Sequence, residues 1–433
     1  MSGIFGVVSK EDCIGDVSKG AFYLQNRAES YCGMAWKNSD DRLDSSPHKG
    51  LFRENFDNRK LEEISGNYAI GCVTGSREPV SEYSKNGEML LCFDGNIANH
   101  DELLSGMLKR GASFSGYHNP EEVSDAVLIS KMIAKESSFD KGIENLFNDV
   151  KGDFSIVALT RGGVYAARGW GRKPLILGGK DGAYAVSSES VSFINTGFDI
   201  FRDVKPGEVV YLGDGGIESV RQFDVDEIFG TFEWVYTAHP ASVIDGRSVK
   251  LARNAIGGGL AKRYPVDADV VSPVPNSGRN HAEGYSAASG IPYNEVFAKF
   301  DYCGRSFTPN TLEEQNAVAD EKLIPVRAVI EGNRIIVVDD SIVKGNQTRR
   351  QTGRLRENGA KEVHARIACP PLMAKCDYGK AIKQDEQCIA RTMSLDEIRR
   401  TRGLDSLEYA TFEDLESAIG KPLDKLCTDC WGR

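Results

Sequence analysis

The stretch Arg334-Ile-Ile-Val-Val-Asp339-Asp340-Ser341-Ile342-Val343-Lys344-Gly345-Asn346-Gln347-Thr348 decides how this chain is read. An apolar run of strand type ends in two carboxylates, then passes through a small polar loop into a helical pattern. Adjacent carboxylates at the carboxyl end of a buried strand can hold sugar hydroxyls, or a Mg²⁺ ion bound to them. Backbone N–H groups at the start of the following helix can cradle a phosphate. Taken alone, an Asp-Asp pair could equally end a strand and cap a helix. Upstream, Asp269-Val-Val-Ser-Pro-Val-Pro-Asn276-Ser277-Gly278 is a second extended run ending in a Gly-containing polar loop, a suitable second anion site on the same sheet edge. Neither segment is a Walker loop or a GxGxxG fingerprint, so nucleoside triphosphate and dinucleotide chemistry have no direct support.

Outward from this stretch, the pattern from Thr231 onward alternates. Val249 to Arg263 reads helical, Asp269 to Val274 and Arg334 to Asp339 extended, Thr348 to Asn358 helical and Glu362 to Ala368 extended. Such alternation predicts a parallel α/β sheet. The first 230 residues differ. Short β-type runs (Gly3–Val8, Tyr68–Val73, Met89–Phe93, Phe154–Leu159, Gly163–Ala167, Glu208–Leu212) are separated by turn residues and interrupted by two helical stretches, Asn99–Lys109 and Ser124–Lys135. That is an α+β layer pattern. The segment Asp214–Gly230 between the two regimes is the expected junction, dividing the chain into residues 1–230 and 231–433.

With 433 residues, two large domains can each bury a core. Lys and Arg total 53 against 63 Asp and Glu, a net charge of -10, which argues against nucleic acid or an anionic membrane as partner. No apolar run is long enough to span a bilayer, and no basic segment precedes an apolar one at the amino terminus. A cytoplasmic protein with small-molecule partners is expected. The 10 cysteines read as thiols or metal ligands, and only Cys427 and Cys430 have close metal-type spacing.

The string Val338-Asp-Asp-Ser-Ile-Val-Lys-Gly345 resembles the phosphoribosyl diphosphate (PRPP) motif of type I phosphoribosyltransferases, specifically that of the glutamine PRPP amidotransferase family of purine synthesis. Phe232-Glu-Trp-Val-Tyr236, Pro275-Asn-Ser-Gly278, Gly304-Arg-Ser-Phe307, Lys322-Leu-Ile-Pro-Val326 and Pro370-Pro371 extend the similarity. So do Gly3-Ile-Phe-Gly6, Ser188-Glu189-Ser190 and Val204-Lys-Pro-Gly-Glu-Val209 at the amino end. The resemblance covers essentially the whole chain. It implies an amino-terminal nucleophile (Ntn) hydrolase domain of αββα architecture followed by a type I phosphoribosyltransferase domain.

Carried over residue by residue, it implies that Asp339 and Asp340 bind the PRPP ribose hydroxyls and Mg²⁺, with Ser306 at the remaining metal position. Ser341, Lys344, Gly345, Asn346, Gln347 and Thr348 would hold the 5′-phosphate. Asn276, Ser277 and Gly278 would grip the diphosphate, and Lys322, just after the loop that closes over PRPP, would bind substrate as well. There are departures. Asn346 and Gln347 stand where the family has Thr, which leaves the backbone donors intact. Asp320 and Glu321 replace basic residues, and Ala238-His-Pro-Ala-Ser242 replaces Ala-Arg-Pro-Asp-Ser.

The glutaminase positions depart further. Ser2 matches the family's nucleophilic Cys, Asp94-Gly95 its Asn-Gly oxyanion donors, and Cys72-Val73-Thr74 its His-x-Arg. Its Gln-His-Arg-Gly-Gln-Glu reads Gln25-Asn-Arg-Ala-Glu-Ser30. Gly95 and Asp125 remain of the glutamine contacts, and Arg77 is the nearest alternative cation in sequence. Ser can serve as an amino-terminal nucleophile. A carboxylate in place of an oxyanion donor, however, removes stabilisation worth about a hundredfold to a thousandfold in rate, so a domain that no longer hydrolyses glutamine is expected. Some family members carry a four-iron four-sulfur cluster. Cys376, Cys427 and Cys430 fill three of its positions and Gly230 the fourth, which leaves open a three-Cys iron–sulfur site or thiols without one. Two functions follow from the resemblance: a phosphoribosyltransferase delivering the sugar to ammonia or another amine, and a non-catalytic sensor of PRPP or a purine nucleotide. A homo-oligomer, dimer or tetramer, is expected of either.

Overall fold

The computed structural model describes residues 1–114, 116–117, 119–302, 321–379, 382 and 384–433. The β-type runs of the amino-terminal half pair into two fully antiparallel sheets. One has seven strands, in spatial order Asp199–Asp203, Ile176–Lys180, Ala183–Ser187, Gly3–Ser9, Tyr68–Thr74, Tyr31–Lys37 and Leu43–Lys49. The other has six, in the order Gly216–Gln222, Glu208–Gly213, Val164–Arg168, Gly152–Leu159, Gly87–Ile97 and Val80–Ser84. Ile4, Val8, Ile70 and Cys72 from the first sheet pack with Leu90, Cys92, Val157 and Val164 from the second, forming the core between them. The outer face of the second sheet is covered by the helices His100–Lys109, Asp125–Ala134 and Phe139–Asp149, through Leu104, Leu128, Ile129 and Leu146. The helix Ile14–Tyr23 covers the outer face of the first, where Gly71 has no side chain because one would press on Val17 and Ala21. This is the αββα layering of the Ntn hydrolase fold.

The parallel sheet of the second half has four strands, ordered Val270–Pro273, Arg334–Asp339, Glu362–Ile367 and Ser406–Tyr409, all parallel. Ile335, Ile336 and Val338 are fully buried, as a parallel strand covered on both faces requires. Beside the sheet, the helices Val249–Arg263 and Arg279–Ser289 cross through glycines. A Cβ at Gly257 would lie 1.9 Å from the His281 carbonyl oxygen, and one at Gly284 would lie 2.0 Å from that of Asn254.

The chain forms two compact units: Met1–Gly230 with Thr237–Ser248 and Asp377–Lys380, and Thr231–Tyr236 with Val249–Cys376 and Ala381–Arg433. Part of the stretch read as a junction, Asp214–Gly230, is a strand, since Gly216–Gln222 forms a hairpin with Glu208–Gly213. The two expected amino-terminal helices are present at His100–Lys109 and Asp125–Ala134, and Ile14–Tyr23 and Phe139–Asp149 add two more. Among the described residues, no helix is long and apolar enough to cross a membrane.

Candidate functional site

Parallel register places Pro273 beside Val338, and the Val274 N–H donates to the Val338 carbonyl at 2.9 Å. A Cβ at Gly278 would lie 2.3 Å from that same carbonyl oxygen. The loop bearing Asn276, Ser277 and Gly278 therefore lies against the strand end bearing Asp339 and Asp340. The Pro275–Asn276 peptide is cis.

Asp339 accepts from the Asp340 N–H at 2.9 Å, and Asp340 accepts from the Ser341 hydroxyl at 2.7 Å. Neither carboxylate has an ion-pair partner among the described residues. Burial, then the neighbouring Asp340, push the Asp339 carboxyl well above the usual carboxylate range. Concentrated negative charge of this kind fits a hard divalent cation, which takes one or two protein carboxylates and completes its shell with water and substrate oxygens. The fit rests on these two residues. Among the described residues, no group of three or more His, Cys, Asp or Glu is gathered to hold a metal, and Ser306 and Asp320 lie outside them.

Beyond Ser341 the chain turns at Gly345, which adopts φ +69° and caps the helix Asn346–Glu357 without any side-chain cap hydrogen bond. The left-handed conformation suits glycine. Lys344, Asn346 and Gln347 are exposed and Thr348 is half-buried, as is Lys322, which follows the exposed Glu321.

In the amino-terminal unit the predicted residues meet differently. The Ser2 backbone N–H donates to Asp94 Oδ1 at 2.7 Å. The other Asp94 oxygen accepts from Arg27 Nη2 at 2.9 Å, while Arg27 Nε donates to the Ser2 carbonyl at 2.6 Å and Nη1 to Glu189 at 3.0 Å. Glu189 also accepts from Asn26 Nδ2 at 3.0 Å, and from the His239 N–H and the Ser242 hydroxyl at 2.7 Å each. Burial opposes ionisation of Asp94. Arg27, Lys173, the chain's amino group and the Ser2 N–H outweigh it and hold the carboxyl below its ordinary value.

Gly95 follows Asp94 on the same strand. Asp125 opens its helix, with His100 Nε2 at 3.9 Å. Cys72 and Thr74 are fully buried, whereas Arg77 is exposed. Sequence reasoning assigned no role to Arg27 or Glu189, although both lay inside quoted motifs, and it overlooked Glu78. That carboxyl is 1% exposed, accepts from the Phe93 N–H at 2.7 Å and the Ser76 hydroxyl at 2.8 Å, and is pushed up to about 8 by burial.

Cys376 and Cys427 are half-buried and Cys430 is buried. Burial, then Cys376 and Cys427, raise the Cys430 thiol far above its ordinary value. Among the described residues these thiols are not gathered into a group that could hold a metal ion. At Gly230 a Cβ would lie 2.3 Å from the Arg172 carbonyl oxygen, so the backbone has closed over the position where a fourth Cys would stand.

Residues 61–195 match the family model of a glutamine amidotransferase domain. The amidophosphoribosyltransferase of Methanothermobacter thermautotrophicus is 36% identical, over 99% of this chain and 93% of its own length. That of Bacillus subtilis is 33% identical, over 99% and 92%. The solved glutamine PRPP amidotransferase of B. subtilis, complexed with ADP and GMP, superposes with a TM-score of 0.91 at 32% identity, covering 99% of this chain and 96% of that one. The relatives therefore agree with the layered amino-terminal sheets and the parallel sheet beside its two loops, and the chain belongs to the amidophosphoribosyltransferase family.

Proposed function

We propose that this chain binds PRPP with Mg²⁺ at the Asp339–Asp340 strand end and transfers its phosphoribosyl group to ammonia or another amine, without hydrolysing glutamine. In that reaction the amine nitrogen forms a bond to the sugar C1 as the bond from C1 to the diphosphate oxygen breaks. Diphosphate leaves and the nitrogen releases a proton. Asp339 and Asp340 would hold the ribose hydroxyls and the metal, the N–H groups from Gly345 to Thr348 the 5′-phosphate, and Asn276 to Gly278 the departing diphosphate. Mg²⁺, when bound with PRPP, supplies neutralisation of the diphosphate charge. No iron–sulfur chemistry enters this reading, because Cys376, Cys427 and Cys430 are not gathered as a metal-holding group among the described residues. The family resemblance extends the reading to a cytoplasmic homo-oligomer.

The observation that carries the loss of glutaminase is the Asp94 carboxylate lying 2.7 Å from the Ser2 nitrogen. Were Met1 removed, this nitrogen would be the α-amine that must act as base, and a carboxylate at that distance favours its protonated form. The same carboxylate would repel a developing oxyanion. A second reading, a sensor that binds PRPP without turnover, draws on Glu321, an exposed carboxylate immediately before Lys322.

Glutamate release from glutamine with PRPP present should stay at background, while PRPP and ammonia together should release diphosphate. A PRPP-stimulated glutaminase rate lost in Ser2→Ala would overturn the first claim. Diphosphate release no faster than the uncatalysed rate with every amine tried would leave the sensor.

A further inference from the structure

Arg402 ends the helix Leu395–Thr401, far along the chain from the Gly345 loop, yet its guanidinium lies on that loop. A Cβ built on Gly345 would stand 2.8 Å from Arg402 Nε and 3.5 Å from Cζ, with Ile389 Cδ1 at 3.4 Å. The Ile389 N–H donates to the Val343 carbonyl at 2.9 Å, which straps the segment preceding this helix to the loop. Arg402 Nε is buried and has no hydrogen-bond partner among the described residues. Nor does its guanidinium make an ion pair among the described residues. The charged group near enough to act on it is another cation, Arg349, on the first turn of the helix that Gly345 caps.

Other arginines of this unit are matched to carboxylates: Arg263 to Asp414, Arg279 to Glu295, Arg334 to Asp269 and Arg356 to Asp405. Among the described residues Arg402 and Arg349 have none, and Arg349 is exposed on the first turn of the helix that follows the loop. A desolvated donor facing a like charge is costly unless an anion completes the arrangement. Guanidinium forks suit the oxygens of a phosphate.

We propose that Arg402, aided by Arg349, contacts the phosphate held at Lys344–Thr348 and selects for a dianionic phosphate monoester. The proposal rests on the reading of that loop as a ribose-phosphate site. It gives the loop the cationic contact that its amide side chains at Asn346 and Gln347 do not provide.

Calorimetric titration of the full chain with ribose 5-phosphate, with PRPP plus Mg²⁺, and with inorganic phosphate tests it. Arg402→Gln should weaken ribose 5-phosphate and inorganic phosphate by about tenfold or more, and Arg349→Gln by less. Arg402→Gln should leave the gain in PRPP affinity on adding Mg²⁺ unchanged. Arg402→Lys should recover part of the loss, and the melting temperature of each unliganded variant shows whether it is folded. If wild type and folded Arg402→Gln bind ribose 5-phosphate and phosphate within twofold of each other, Arg402 is a packing residue and the proposal fails, while the PRPP reading stands. Wild type that binds inorganic phosphate through Arg402 but neither PRPP nor ribose 5-phosphate would uphold the anion contact and overturn the PRPP reading instead. If wild type binds none of the three, both fail.

Discussion

In the amino-terminal pocket Asp94, Arg27 and Glu189 are buried and consume one another's charge: each carboxylate has the guanidinium, and the remaining oxygens have backbone N–H, amide or hydroxyl donors. At the carboxy-terminal loop the charges are left open, with Asp339 raised by burial and then by its neighbour, Gly345 opening a helix without a side-chain cap, and Arg402 Nε unanswered among the described residues. The two regions share a chain, and the carboxy-terminal loop holds an imbalance that a charged ligand can correct. A closed network stabilises the fold without a ligand, whereas an open one costs stability until the ligand arrives.

The sharpest test of the closed network is to remove its centre. Arg27→Met should destabilise the protein by about 3–5 kcal/mol, because two buried carboxylates lose their shared cation. Adding Asp94→Asn and Glu189→Gln to the same protein should recover part of the loss. Chemical denaturation measures both, and a single-variant loss below about 1 kcal/mol would mean that the pocket is hydrated rather than closed.

The open region predicts the converse, a gain on adding ligand. PRPP with Mg²⁺ at a hundredfold excess over its dissociation constant should stabilise the protein by about 2.7 kcal/mol. In the double variant Asp339→Asn, Asp340→Asn the magnesium-dependent part of that shift should vanish while a phosphate-dependent part remains. Equal PRPP affinity in wild type and double variant would remove these carboxylates from the site.

A pH-dependent effect concerns Glu78, whose carboxyl is near Asp94 and has no ion-pair partner among the described residues. Its folded value of about 8 exceeds the unfolded value of about 4.3. The folded state therefore keeps a proton that the unfolded state gives up. Its contribution is greatest below the unfolded value and is lost as pH rises toward 8, with a slope of at most about 1.4 kcal/mol per pH unit. Glu78→Gln should flatten stability against pH across this window. An unchanged slope between pH 5 and 8 would show that Glu78 is ionised in the fold.

The strand Arg334–Asp339 and the helix Val249–Arg263 were legible in the sequence to the residue, because unbroken burial leaves an unbroken apolar run and a long helix repeats its pattern several times. Leu43–Lys49 was not. It is an edge strand, Leu-Asp-Ser-Ser-Pro-His-Lys, with few buried positions, so neither periodicity nor propensity marks it. Arg279–Ser289 escaped notice for another reason: its small residues serve close backbone packing rather than an apolar stripe. The loop's candidate ligands were legible because they are contiguous. Arg27 and Glu189 are 162 positions apart, and Arg402 is on a different helix from the loop it touches, so only the fold could bring them together.

The helix crossing at Gly257 and Gly284 has a mechanical consequence. Asn276 to Gly278 lead directly into the helix Arg279–Ser289, and that helix meets its neighbour backbone to backbone, with no side chain between them to yield. Such a joint transmits load instead of absorbing it. Any yielding that the proposed diphosphate grip needs must therefore come from within the three-residue loop, or the two helices must tilt together as one stiff beam.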